Sequence, residues 1–169
     1  MKRFLISFVT AFALLTGLCA AAAAPANFAG TWMLDKSKSE PLPRNMQNID
    51  SLTWVITQND KQLTVESVAV AQGQERPAQK ITYNLDGSET TAELTGRMTG
   101  TAKMKAKWLD GGKMLELHTV RNVNAQGNEI TITTKEHWEL AEDGKVLKVH
   151  RTNESPQGTQ ESKLTFTKK

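Results

Sequence analysis

Apolar and polar residues alternate along most of the chain after residue 24, and this period of two is typical of β-strands. A strand separates the two sets onto opposite faces of a sheet, whereas a helix would scatter them around its circumference. In the clearest stretch, residues 98–108, the positions that alternate with threonines and lysines are Met98, Gly100, Ala102, Met104, Ala106 and Trp108.

Short turn sequences separate the alternating runs. They are Asn59-Asp60, Asp86-Gly87, Asp110-Gly111-Gly112, Gln126-Gly127-Asn128, Asp143-Gly144 and Pro156-Gln157-Gly158. Glycine, asparagine and aspartate accept the positive φ that tight hairpins require. The runs between these turns predict about ten strands, at residues 30–34, 52–58, 62–70, 79–85, 90–94, 99–109, 114–122, 129–140, 145–152 and 160–167.

Strands joined by hairpin-sized connections predict an antiparallel meander. Because a long open sheet leaves its edges and one face exposed, the meander is expected to close. The fold class predicted is all-β, an antiparallel up-and-down β-barrel of about 8–10 strands, in a single domain at residues 24–169. Residues 36–50 lack the alternation and contain Pro41 and Pro43, so a long loop or one short helix near residues 44–49 is expected there.

The first residues of the chain read as a signal peptide. Lys2 and Arg3 are followed by eleven uncharged residues at positions 4–14 and by a run of alanines at positions 20–24. The apolar run is too short to be a good spanning helix, and the alanines suit a signal peptidase. The prediction is a signal peptide at residues 1–23, cleaved after Ala22 or Ala23, and a periplasmic or secreted protein.

Cys19, the only cysteine, falls within this segment. Lipidation is the less favoured interpretation, because Leu18 is too bulky for the position before a lipoprotein cysteine. We expect Cys19 to be removed with the signal peptide, which leaves a chain without a disulfide, a thiolate ligand or a cysteine nucleophile.

Composition and charge exclude several classes of protein. Hydrophobic residues make up 38% and charged residues 23% of the chain, so it is neither disordered nor a polytopic membrane protein. Removal of Lys2 and Arg3 from the 21 basic residues leaves 19 against 18 acidic ones. A chain this close to neutral lacks the excess of positive charge that is typical of nucleic-acid-binding proteins. Neither a nucleic-acid partner nor stable membrane insertion is expected.

The polar residues give no support for catalysis. His118, His137 and His150 lie on three different predicted strands, in phase with their polar sides, so solvent exposure is the simplest interpretation. No metal-ligand spacing and no Gly-x-Ser-x-Gly nucleophile motif occurs. We therefore predict a protein that is not an enzyme and has no metal or other cofactor.

Three charged residues share phase with apolar faces instead. Arg121, Glu136 and Arg151 would point into the barrel if the alternation holds, and charges in a dry core need partners or water. One interpretation is that bulges turn them outward, or that an arginine stacks on Trp32. The other is a polar patch that orients a mainly apolar ligand in a cavity.

The aromatic residues leave a similar choice. Trp54, Trp108 and Trp138 are in phase with apolar faces, and core packing is the default explanation for each. However, the inward-facing sets are rich in Ala, Thr and Met, which leaves a wide barrel under-filled and favours a cavity. The candidate ligand-binding residues are Trp54, Met104, Trp108, Leu117, Arg121, Ile132, Glu136, Trp138 and Arg151.

A short motif near residue 30 carries a resemblance to known proteins. Gly30-Thr31-Trp32 on the first strand resembles the opening of the lipocalins and fatty-acid-binding proteins, the calycin group. The resemblance implies that Trp32 plugs one end of the barrel and that Gly30 lets another segment pass close. Together with Trp138-Glu139-Leu140 and Asp143-Gly144-Lys145, the chain is similar to small exported bacterial lipocalin-like proteins of uncertain function.

The chain departs from the fatty-acid-binding proteins at the ligand clamp. In that family, arginines and a tyrosine near the end of the chain hold the ligand carboxylate. The matching positions here are Trp138, Leu164 and Phe166, so a fatty acid held in the same way is not expected.

These observations predict a non-catalytic binding protein for a small hydrophobic or amphipathic ligand held inside the barrel. The alternative is a protein-interaction module, such as an inhibitor or an envelope-assembly factor. It would use the N-terminal arm, residues 25–28, or the loop at residues 36–50.

Overall fold

The alternating segments form one antiparallel sheet in the computed structural model, which describes residues 24–95, 99–125 and 128–169. The predicted signal peptide with Cys19, the first alternating position Met98 and the turn residues Gln126 and Gly127 lie outside the described residues. The strands are β1 (Gly30–Leu34), β2 (Ser51–Gln58), β3 (Gln62–Ala71), β4 (Gln74–Glu75), β5 (Gln79–Asn84), β6 (Thr90–Leu94), β7 (Thr99–Leu109), β8 (Met114–Ala125), β9 (Asn128–Ala141), β10 (Val146–Ser155) and β11 (Gly158–Lys168).

Each of the ten predicted strands is present, and the two-residue β4 is added to them. The largest boundary differences are at β8 and β10, which each end three residues later than predicted because their ladders with β9 continue without interruption. The all-β antiparallel fold class is confirmed.

The first and last strands along the chain, β1 and β11, pair with each other. β1 lies between β2 and β11, and the order is β4-β3-β2-β1-β11-β10-β9-β8-β7-β6, with β5 also on β3. In the part of the chain that the structure describes, no strand ladder joins β5 to β6. The Thr90 hydroxyl crosses this seam and donates to the Thr82 carbonyl at 2.8 Å.

Residues 36–50 form the predicted irregular segment, with a 3-10 turn at Lys36–Lys38 and a single short helix, α1 (Arg44–Gln47). The segment is tied to β11, because the Ser39 hydroxyl accepts from the Thr165 amide at 2.9 Å. Its own Met46 and Ile49 side chains are buried. This capping segment therefore covers one end of the barrel beside β10 and β11, where Met46 contacts Arg151.

The N-terminal arm, residues 25–28, covers the opposite end, since it precedes β1 and the capping segment follows it. The Gln58 side chain accepts from the Phe28 amide and donates to the Ala26 carbonyl, both at 2.9 Å. The Ala26 amide donates to the Gly112 carbonyl at 2.8 Å. With Phe28 fully buried, the arm is part of the core.

Gly30 and Trp32 lie at this same end. The Trp32 indole is fully buried and donates to the Phe28 carbonyl at 2.8 Å. A Cβ on Gly30, which has a φ of +142°, would lie 2.6 Å from Cε of Lys168. The Lys168 ammonium lies 5.2 Å from the Trp32 ring centroid. The cation over Trp32 is therefore Lys168, whose side chain has room because residue 30 is a glycine. It is not the arginine that the sequence analysis considered for this position.

Candidate functional site

The inner face of β7 to β10 is built in levels by the strand register. At a level low in the barrel, Leu115 lies opposite Trp108 and Trp138, and Trp138 lies opposite Val149. The next inner level up the barrel contains Leu117, Glu136 and Arg151, and the one above it Thr119, Thr134 and Asn153. Arg121 and Ile132 pair above these residues, followed by Val123 and Ile130.

Five aromatic rings fill the lower barrel, and we call them the aromatic floor. Ring centroids are 4.1 Å apart for Trp54 and Phe166, 5.1 Å for Trp54 and Trp138, 5.8 Å for Phe28 and Trp138, and 6.1 Å for Phe28 and Trp108. All are buried except Trp108, which is half-buried. The structure thus places Trp54 and Trp138 in the core. Their contact with a ligand stays a prediction.

The clamp positions belong to the same core. Trp138, Leu164 and Phe166 are each 1% exposed or less. Met104 and Leu117, two further candidate ligand residues, are also buried. The lower half of the barrel is therefore closed by the protein's own side chains.

Glu136 and Arg151 form an ion pair directly above the aromatic floor. Nε of Arg151 donates to Oε1 of Glu136, and the Trp138 indole donates to the second carboxylate oxygen at 2.9 Å. The Arg151 guanidinium lies 6.0 Å from the Trp54 ring centroid and contacts the Met46 sulfur at 3.9 Å. Both residues face inward, with each charge supplied with a partner.

Two neutral polar pairs lie one level higher. The Tyr83 and Thr119 hydroxyls are 3.0 Å apart, and the Thr134 hydroxyl donates to the Asn153 side-chain carbonyl at 2.9 Å. Sequence reasoning did not select these residues. The available signal was Tyr83, the only tyrosine of the chain, which alternates in phase with Ile81 and Leu85.

Burial, and secondarily the Glu136 charge, raises the pKa of Tyr83 to about 12, against an opposing effect of the Thr119 hydrogen bond and of Arg121 and Arg151. The unfolded chain ionises its tyrosine near pH 10 and the folded chain does so only near 12. Ionisation of this tyrosine therefore leaves the free energy of unfolding unchanged below pH 10. As the pH rises toward 12, the free energy of unfolding falls by about 3 kcal/mol.

Two measurements check this pH dependence. Tyrosinate absorbance should follow a single titration with a midpoint near 12 in the folded protein. Urea unfolding at several pH values should show a smaller alkaline loss of stability in Tyr83→Phe than in the wild type. A folded-state midpoint near the ordinary value of 10 would contradict the buried position of this hydroxyl.

Above these pairs the inner face is partly accessible to solvent, although Ala102 and Val123 are buried there. Five inward-facing residues, which we call the upper inner face, are only half-buried: Ile81, Leu94, Arg121, Ile130 and Ile132. The ladder around Arg121 is continuous, with Ala102 opposite on β7 and Ile132 on β9, so no bulge turns Arg121 outward. Of the nine candidate ligand-binding residues, the structure leaves Arg121 and Ile132 in this accessible region.

The histidines lie on the outer face, as expected. His137 contacts Glu116 at 2.9 Å and His150 contacts Glu161 at 3.7 Å. Across residues 24–95, 99–125 and 128–169, no group of three histidine, cysteine or acidic side chains could hold a metal ion. A cleft of about 400 Å³ opens where the turn at Asp86-Gly87 meets β7, lined by Lys105 and His118 among others.

Helices contribute little to the molecule. Among the residues with a described structure, no helix is long and apolar enough to cross a membrane.

Comparison with known proteins supports the fold. No protein-family model matches the sequence, and no curated protein does. Among solved structures, the chain is similar to zebrafish ileal bile acid-binding protein in complex with cholic acid, with a TM-score of 0.52 and 18% identity. The match covers 84% of this chain and 98% of that protein. The barrel thus shares its overall fold with this bile acid-binding protein.

Proposed function

We propose that the protein binds a small hydrophobic or amphipathic molecule in the upper part of its barrel, without catalysis. The observation that carries this proposal is the change in burial along the inner face. Trp138 and Leu117 are 1% exposed, whereas Ile132 and Arg121 face the same interior and are only half-buried. A side chain that faces inward yet meets solvent lines a space that solvent enters.

The chemistry of this space suits an amphipathic guest. Four of the five residues of the upper inner face are isoleucine or leucine, and the fifth is Arg121. Hydroxyl and amide groups of Thr119, Thr134 and Asn153 lie immediately below. Ligand sites are mainly apolar surfaces with a few convergent polar groups. The fold neighbour, which was solved with cholic acid, adds support at the level of the fold.

The interaction-module alternative has less support. The N-terminal arm, residues 25–28, is held by Gln58 and Gly112 and buries Phe28. The capping segment likewise uses Met46 and Ile49 against the barrel. Both segments present fewer apolar side chains to a partner than their sequences alone would offer.

A pair of tryptophan substitutions on β9 tests the proposal. Ile132→Trp fills the upper barrel, and Thr133→Trp places the same ring on the outer face, because neighbouring strand residues point to opposite sides. Calorimetric titration with cholate and with dodecanoate, below their micellar concentrations, should show binding to the wild type and to Thr133→Trp. Ile132→Trp should weaken binding by about 5- to 150-fold, because the ligand and the added ring would compete for the same space at a cost of about 1–3 kcal/mol.

Two results would contradict the proposal. One is a wild-type protein that binds neither amphiphile, and the other is binding that Ile132→Trp leaves unchanged. In the second case the molecule binds outside the barrel, for example in the cleft near Lys105 and His118.

We also propose that the protein is exported to the periplasm or beyond the cell. Lys2, Arg3, the uncharged run at positions 4–14 and the alanines at positions 20–24 support this location. In a secreting bacterial host, the intact mass of the exported protein should correspond to a chain that begins at Ala23 or Ala24. Retention of the whole chain in the cytoplasm would overturn the proposal.

A further inference from the structure

We infer that the ligand of this barrel carries an anionic head group and that Arg121 binds it. This inference rests on the proposed function, since it assigns a ligand class to the same interior.

The inner face of the described strands β7 to β10 carries one excess positive charge. Its ionisable side chains are Arg121, Glu136 and Arg151. Glu136 and Arg151 neutralise each other in their ion pair, and Nη1 of Arg151 faces the Met46 sulfur. Arg151 is thereby paired with the Glu136 carboxylate, and the excess positive charge of this face belongs to Arg121.

Arg121 has neither a hydrogen bond nor an ion pair to any side chain in the described ranges. Its flanking partners across the ladder, Ala102 and Ile132, are apolar. An arginine remains charged at any pH that proteins tolerate, so it cannot escape this environment by losing its proton. A bound anion would give this half-buried guanidinium the charge-assisted hydrogen bonds that no side chain in the described ranges supplies.

The polar side chains near Arg121 do not compensate its charge. Thr119, on the same face of β8, is already paired with Tyr83, and Thr134 with Asn153. The positive charge of Arg121 nevertheless affects Tyr83 at this level. It is among the causes that lower the pKa of Tyr83, whereas burial has the larger effect and raises it. The guanidinium therefore acts on the interior and not only on the solvent outside.

The surrounding apolar residues define the rest of the ligand. Ile130 and Ile132 lie on β9 beside Arg121, and Val123 follows it on the same face of β8. Across the interior, Ile81 and Leu94 line the two sides of the seam between β5 and β6. An amphiphile with one anionic group and an apolar body matches this arrangement, with the head group on Arg121 and the body against the isoleucines.

Matched pairs of probes separate head-group recognition from apolar binding. Dodecanoate is compared with dodecanol, and cholate with its methyl ester, because each pair shares its apolar body and differs in charge. The variants are Arg121→Gln and Arg121→Lys. Lys148→Gln is the control, since it removes one positive charge from an exposed outer-face position of β10.

The wild type and Lys148→Gln should prefer each anion over its neutral partner by about 10- to 100-fold, the value of a charge-assisted hydrogen bond. Arg121→Gln should lose this preference through weaker binding of the anions alone, and Arg121→Lys should retain part of it. If Arg121→Gln binds both members of a pair as the wild type does, the assignment of Arg121 is overturned and ligand binding in the barrel stands. If the wild type binds none of the four probes, the proposed function fails as well.

Discussion

A chain that carries Arg151→Met is expected to lose about 4 kcal/mol of its free energy of unfolding, because removal of one partner leaves the other charge buried and unpaired. Glu136 is 7% exposed and lies between the aromatic floor and the polar pairs above it. Its remaining contact would be the Trp138 indole, which donates to one carboxylate oxygen at 2.9 Å. One neutral hydrogen bond does not replace a guanidinium.

The double variant Glu136→Gln with Arg151→Met identifies the cause of this loss. Glutamine keeps an acceptor for the Trp138 indole, and no charge remains in the interior. Buried ion pairs are often replaced by neutral groups at little cost, so most of the stability should return. Urea unfolding monitored by tryptophan fluorescence measures both variants, with Lys148→Met on the outer face of β10 as the control, expected within about 0.5 kcal/mol of wild type.

A double variant as unstable as Arg151→Met would contradict this account. That result would mean that Arg151 stabilises the barrel through the packing of its side chain against Trp54 and Met46. The charge pair would then contribute little.

Phe28→Ala is expected to destabilise the protein by about 4 kcal/mol, in the range measured when a buried phenylalanine is truncated. Phe28 is fully buried and its ring contacts Trp108 and Trp138. Its loss opens a cavity in the aromatic floor. It also loosens the N-terminal arm, residues 25–28, whose other attachments are hydrogen bonds to Gln58 and Gly112.

Phe28→Leu is the matched variant, because it keeps an apolar side chain at the same position and should lose clearly less stability. Urea unfolding and the emission maximum of the tryptophans report on both variants. If Phe28→Ala unfolds at the wild-type urea concentration, the arm does not contribute to the core.

The strands could be predicted from the sequence because alternation is a local property. The pairing of Glu136 with Arg151 was also within reach. Glu136 lies seven residues before Asp143 and Arg151 seven residues after Gly144, so a hairpin centred on that turn places them opposite each other. Their inward direction and their need for partners were predicted, and the structure supplies each with the other.

Other features depend on contacts between distant parts of the chain, which the local pattern does not contain. The contact of Tyr83 with Thr119 arises from the curvature that brings β5 near β8. The burial of Phe28 depends on Gln58 and Gly112, which are remote in sequence. The phase of Trp54 and Trp138 showed that they face inward, but only the packing of rings from five segments shows that they close the lower barrel.

The measurement that tests the central claim most directly is an NMR experiment that locates a bound amphiphile. Dodecanoate added to methyl-labelled protein should give intermolecular cross-peaks to Ile130 and Ile132, which face the interior. Val120 on the outer face of β8 and Val55 on the outer face of β2 should give none. Cross-peaks confined to Val55 and Val120, or no cross-peak to any of the four at saturating dodecanoate, would contradict a ligand site inside the barrel.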